Sequence, residues 1–110
     1  MNTYFSYLYR DASNYKEYNE VILFGSLRLD QLLPFLKDKT FFIPSEIGLV
    51  DLQGCDWSSD DHIWHEIENI ESTLSLPTVN LKAEKLLEKF KIAFENGWRE
   101  SEVMKRKGLL

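Results

Sequence analysis

The stretch Ile63-Trp64-His65-Glu66-Ile67-Glu68-Asn69-Ile70-Glu71-Ser72-Thr73 decides the fold of this chain. Ile63, Ile67, Ile70 and Leu74 recur at three- and four-residue spacing, which suits one face of a helix, and Asp60 or Asp61 stands where a cap would be. Against the helix stand the frequent β-branched residues. A hairpin and one short strand would also leave a thin sheet without a fourth member. The segment is therefore read as a strand, and Pro77 breaks the chain after it.

Working outward, residues 3–10 alternate: Phe5, Tyr7 and Tyr9 fall on one face, Tyr4, Ser6 and Leu8 on the other. Aromatic residues at period two predict a strand. Residues 11–16 are turn chemistry, because Asp11, Ser13 and Asn14 can bond their own backbone. Residues 19–25 read as a second strand, completing a hairpin whose loop exceeds the tight two-residue type. Leu29, Leu32, Leu33 and Leu36 put a short helix over residues 29–37, with Pro34 near its first turns. Residues 40–43 read as a brief third strand closed by Pro44, residues 45–52 as a turn and residues 53–61 as a loop.

The last element carries the clearest pattern. Leu81, Ala83, Leu86, Leu87, Phe90, Ala93 and Phe94 share a face, Asn80 is placed to cap the start, and Asn96-Gly97 supplies a left-handed end. This predicts a long helix over residues 80–97 packed on one face of the sheet, with Trp98 sealing the core edge and a short terminal helix over residues 101–107. The fold class that follows is α+β: a three- or four-stranded, mostly antiparallel sheet with that helix against it, in a single domain 1–110 whose tail, 99–110, is loosely attached.

Bulk composition narrows the function classes. Hydrophobic residues make up 44% of the 110 and aromatic residues 14%, enough for a core and against intrinsic disorder. No apolar run approaches the roughly 18 residues of a membrane span, and the N-terminus lacks the basic-then-apolar pattern of a signal peptide. The single Cys55 gives no sign of an oxidising compartment and sits among acids that disfavour its thiolate. A cytoplasmic location is the expectation.

Net charge is −5, but residues 1–80 hold −8 and residues 81–110 hold +3. Residues 40–81 contain no Lys or Arg and eight acids. A body so acidic disfavours a nucleic-acid backbone, and Lys105-Arg106-Lys107 reads as solvated end residues.

Two clusters carry potential chemistry. Asp60, Asp61, His62, His65 and Glu66 offer imidazole and carboxylate groups of the kind a divalent ion takes. On a helix His62 and His65 would share a face. On a strand they point to opposite faces, and neither His65 with Glu66 nor the two histidines then make a pair. The other reading is structural, with His65 bonded inside the domain and Trp64 packed in the core. The second cluster is the hairpin tip, where Arg10, Asn14, Tyr15 and Lys16 lie between aromatic strands. Its cations suit an anionic ligand or a partner carboxylate, or else Asp11 and Asn14 only shape the turn while Arg10 pairs with the acidic segment. No nucleophile elbow, glycine-rich phosphate loop or paired-cysteine motif is present.

Three stretches taken together, Tyr9-Arg10-Asp11-Ala12-Ser13-Asn14-Tyr15-Lys16, Phe41-Phe42-Ile43-Pro44-Ser45-Glu46-Ile47-Gly48-Leu49 and Asp61-His62-Ile63-Trp64-His65-Glu66, resemble a group of small bacterial proteins without an assigned activity. That group shows the same order of a Tyr-Arg-Asp hairpin, a Phe-Phe-x-Pro strand end and an Asp-His-x-Trp-His-Glu segment. The resemblance covers residues 4–98, the tail beyond Arg99 does not match, and it implies kinship without implying an activity.

The residues favour a non-enzymatic interaction module, with the acidic stretch and the tyrosine-rich hairpin as contact surfaces. The expected partner is another protein of basic character, by analogy with small acidic proteins that neutralise a basic target. No catalytic residue, cofactor, nucleic acid or membrane is expected, and the oligomeric state is open. The alternative is a divalent-metal-binding protein or metal-dependent hydrolase using the Asp60 to Glu66 cluster.

Overall fold

The computed structural model describes residues 1–53, 58 and 61–109. Cys55 and Asp60, together with most of the loop expected over 53–61, lie outside the described residues. The architecture is α+β: four antiparallel strands in the order β2-β1-β4-β3, with helices against one face. The strands are β1 (Asn2–Arg10), β2 (Lys16–Leu23), β3 (Phe41–Phe42) and β4 (His65–Thr73), and the helices are α1 (Leu29–Leu32), α2 (Ala83–Glu95) and α3 (Glu100–Arg106).

β1 is central, bonded to β2 on one side and β4 on the other. Its odd residues Phe5 and Tyr7 join Val21 and Leu23 of β2 and Phe42 of β3 in the core. The buried helix residues Leu32, Ala83, Leu86, Phe90, Ala93 and Val103 all join the same cluster, so the helices lie on that face. Phe90 meets Phe42 at 5.5 Å and Trp98 at 5.6 Å between ring centroids, and Phe5 and Tyr7 close on Phe42 from the sheet.

The segment 65–73 is a strand, and its misleading helical spacing has a cause. Pairing of β1 with β4 slips between Ser6 and Tyr7: Ser6 faces Asn69 while Tyr7 faces Ile67, leaving Glu68 as an extra residue. The bulge lets Ile67 and Ile70, three apart, both sit opposite core residues of β1. Leu74, which completes the apparent helical face, is 87% exposed.

Elsewhere boundaries move for identifiable reasons. β2 begins at Lys16, three residues before the expected start at Asn19, because pairing with β1 rather than local propensity defines it. The helix expected over 29–37 is shortened to α1 and continues as a 3₁₀ turn, Leu33–Phe35, with Pro34 inside it. The helix expected over 80–97 runs for 13 residues only and is not a long element. Asn80 does not cap it, since the residues before Ala83 run beside β2. Thr78 N–H donates to Ile22 O at 3.0 Å and Ala83 N–H to Phe24 O at 2.8 Å, and Lys82 takes the N-cap position.

At the other end Gly97, Trp98 and Arg99 all take positive φ, turning the chain sharply into α3. Trp98 is buried there and Val103 of α3 is fully buried. Lys107 Nζ lies 2.6 Å from Asp51 Oδ2, and Arg99 and Arg106 each lie 3.9 Å from Glu46. The basic end of the sequence thus meets part of its acidic stretch.

Among the described residues no helix is long and apolar enough to cross a membrane. Phe90→Ala is expected to cost roughly 3–5 kcal/mol and Leu86→Ala roughly 2–5 kcal/mol, while Leu74→Ala costs almost nothing. Chemical denaturation of the three variants checks this order. Wild-type stability for both core variants would mean that α2 does not support the sheet.

Candidate functional site

The chain reaches the histidine cluster by a non-strand passage, residues 61–64, and β4 starts only at His65. The period-two rule therefore does not govern His62, and the two rings do not diverge as a strand over both would require. Both lie against Tyr9, with ring centroids 5.1 Å (His62) and 5.3 Å (His65) away.

Every ring nitrogen is engaged with backbone. His62 Nε2–H donates to Arg10 O at 2.7 Å, and its Nδ1 accepts from Trp64 N–H at 3.0 Å. His65 has the reverse arrangement: Nε2 accepts from Leu52 N–H at 2.9 Å, and Nδ1–H donates to Ile63 O at 3.3 Å. Their partners thus assign the proton to opposite nitrogens in the two rings. Each imidazole ties a loop to the sheet, which leaves neither nitrogen free to ligate.

The carboxylates are similarly committed. Asp61 Oδ1 accepts from Tyr9 OH at 2.5 Å and Oδ2 from Ser58 N–H at 2.9 Å. The Tyr9 hydroxyl, followed by the Ser58 amide, holds the Asp61 carboxyl below the usual carboxylate range. Tyr9 itself is pushed up to about 12, first by burial and then by its bond to Asp61. Glu66 points away from His65 and accepts from Arg10 Nε at 3.1 Å. Among the described residues no three of His, Cys, Asp or Glu gather where a metal ion would be held. Asp60, the remaining member of the cluster, lies outside the described residues.

His65 is fully buried, among Tyr7, Tyr9 and Phe42. Burial pulls its pKa down from 6.5 to about 4, with the nearby Asp51 carboxylate opposing the shift. At neutral pH the ring is held uncharged and shielded from solvent. The arrangement suits a structural lock.

At the hairpin tip Arg10 Nη1 donates to Asn14 Oδ1 at 2.9 Å while its Nε holds Glu66, so the guanidinium braces the turn against β4. Asn14 takes a positive φ, and Tyr15 N–H donates to Asp11 Oδ1 at 2.9 Å. Tyr15 is left 69% exposed, and Lys16 is half-buried at the start of β2. Of the four tip residues, Arg10 and Asn14 serve the turn, and Tyr15 presents the exposed ring.

The feature that the sequence did not disclose is the sheet face opposite the helices. Register puts Tyr4, Ser6 and Leu8 of β1 there, beside Tyr18, Glu20 and Ile22 of β2 and Glu66, Asn69 and Glu71 of β4. Tyr18 is 56% exposed, and Tyr4 OH donates to Glu20 Oε2. Tyrosines and acids share this face with Arg10 and Lys16, which the same alternation places there, while Ser6 and Leu8 between them are buried. Alternation on β1 signalled two faces, but which of them the helices cover was not readable.

A cleft of about 560 Å³ also opens between the turn carrying Lys37, Asp38 and Lys39 and the α2–α3 junction at Trp98. Lys37 Nζ sits 4.3 Å above the Trp64 ring and 3.9 Å from Glu100, which commits it to the fold.

No family model, curated protein or solved structure matches this chain.

Two measurements check this description. Because the folded state lowers the His65 pKa, an unfolded chain takes up the proton first as pH falls. The stabilisation is complete above 6.5, shrinks towards about 4 and is gone below. Folding free energy is expected to drop by about 2 kcal/mol between about pH 7 and about pH 5, and His65→Gln should flatten that slope. An unchanged slope in the variant would assign the acid sensitivity elsewhere. Separately, zinc or a chelator should leave the melting temperature of tag-free protein unmoved, since binding to the native state would raise it by mass action. A chelator-sensitive melt would restore the metal reading.

Proposed function

We propose that this chain is a non-enzymatic, cytoplasmic protein-interaction module that receives a basic partner on the helix-free face of its sheet. The observation that carries the reading is the joint placement of Tyr4 and Tyr18 with Glu20, Glu66 and Glu71 on one face. Tyrosine suits interfaces because it offers a large contact area at small entropic cost while its hydroxyl can stay wet. Surrounding carboxylates add attraction for a basic surface and speed encounter. Arg10 takes up Glu66, so Glu20 and Glu71 are the acids that carry this attraction. Chemistry in the histidine cluster is quiet, which also favours binding over catalysis.

Immobilised protein challenged with host lysate tests the proposal. A basic protein should be retained by the wild type, released by moderate salt and lost with Glu71→Lys or Tyr18→Ser. Glu95→Lys, at an exposed position of α2, serves as the charge control and should retain the partner. Retention equal in all four proteins would remove this face from consideration, and so would the absence of any captured basic protein.

A further inference from the structure

β2 is an edge strand, and its outer side is treated differently along its length. In an antiparallel ladder alternate residues turn both backbone groups away from the partner strand. On β2 these are the even positions: Ile22 N–H donates outward to Thr78 Oγ1 at 2.8 Å, Ile22 O accepts from Thr78 N–H at 3.0 Å, and Phe24 O accepts from Ala83 N–H at 2.8 Å. The crossing segment therefore closes the second half of the edge. The outward groups of Lys16, Tyr18 and Glu20 have no partner among the described residues. Five residues, Lys16-Glu17-Tyr18-Asn19-Glu20, form an open template.

We propose that this template pairs with itself in a second copy of the chain, antiparallel and centred on Tyr18, joining two sheets into one of eight strands. The register follows from charge. Centred on Tyr18, the two-fold axis sets Lys16 opposite Glu20 of the other copy, twice, and Glu17 opposite Asn19. All three open positions on each copy are then bonded.

Every neighbouring register that keeps the outward groups in phase is worse. Centring on Lys16 opposes lysines, on Glu17 opposes glutamates, and on Glu20 opposes glutamates again. Centring on Asn19 drives Lys16 onto Ile22, whose groups Thr78 already holds. β4 also has an open edge past its two pairs with β3, but self-pairing there is disfavoured because it carries Glu68 and Glu71 without a base and is bulged.

A strip of five residues a side is small beside the roughly 1,200–2,000 Å² of stable complexes, so the dimer is reversible. This inference goes beyond the partner-binding face and does not depend on it. Dimerisation draws Tyr18 and Glu20 of that face into the seam, leaves Tyr4 and Glu71 uncovered and sets the two faces side by side.

Sedimentation velocity from about 10 µM to about 1 mM tests it, with circular dichroism confirming that each variant is folded. The wild type should shift towards dimer with concentration. Lys16→Glu and Glu20→Lys should each weaken association by about tenfold or more, since two attractive pairs become repulsive. An equimolar mixture of the two single variants should recover it, because each copy then supplies the charge the other lacks, and the double variant should recover it alone. A wild type that stays monomeric throughout the series would overturn the proposal. So would a dimer indifferent to the single reversals, or single variants that do not rescue each other. Partner capture by a monomeric protein would leave the contact-face reading intact while this one fails.

Discussion

The double pairing of β1 constrains everything else in this molecule. A strand bonded on both sides has no backbone group left for water or a loop, so its neighbours must supply continuous ladders. β2 supplies one through the hairpin, in unbroken register from Thr3 to Arg10. The other has to come from a distant segment, and that is why residues 65–73 form a strand although their isoleucines repeat like a helix. A helix there would expose the inner edge of β1 beside the buried side chains of Phe5 and Tyr7, a cost of 1–3 kcal/mol for each orphaned group, roughly. The bulge at Glu68 reconciles the isoleucine spacing with the ladder, and no exchange of secondary structure is needed.

Loops are then fastened to that sheet by polar groups that sequence alone invites one to read as chemistry. His65 holds Leu52, His62 holds both Arg10 and Trp64, and Tyr9 with Asp61 holds Ser58. A buried imidazole with both nitrogens bonded satisfies two backbone groups at once, which an apolar side chain cannot do. Charge is used the same way. Lys107 reaches Asp51 with both side chains largely buried, so part of the acidic stretch is neutralised within the molecule. Glu20 and Glu71, on the helix-free face, are not drawn into an ion pair among the described residues.

How much of this the sequence disclosed depended on whether the deciding interaction was local. The aromatic alternation over 3–10 and the apolar stripe around Phe90 gave β1 and α2 their type, because periodicity reports burial directly. The start of β2 in the polar residues Lys16 and Glu17 was hidden, since only its partner makes it a strand. α2 begins at Ala83 instead of Asn80 because Phe24 and Ile22 draw the preceding residues alongside β2. For the site, the tip and the histidines were visible as clusters of reactive types. Their engagement by Arg10 O, Leu52 N–H and Ile63 O was not, because backbone partners leave no compositional trace. The tyrosine-and-acid face became visible only once register was known.

Charges on the open half of β2 bear two physical readings that are compatible. Charged residues on an edge usually deter unwanted pairing. Deterrence, however, depends on register: Lys16 and Glu20 repel their own kind in shifted alignments and attract each other in one. The Thr78 bonds to Ile22 add a stop that prevents sliding past that alignment. A sequence of Lys-Glu-Tyr-Asn-Glu thus discourages open-ended aggregation and permits a single closed pairing, because the two-fold axis consumes both templates and leaves none for a third copy.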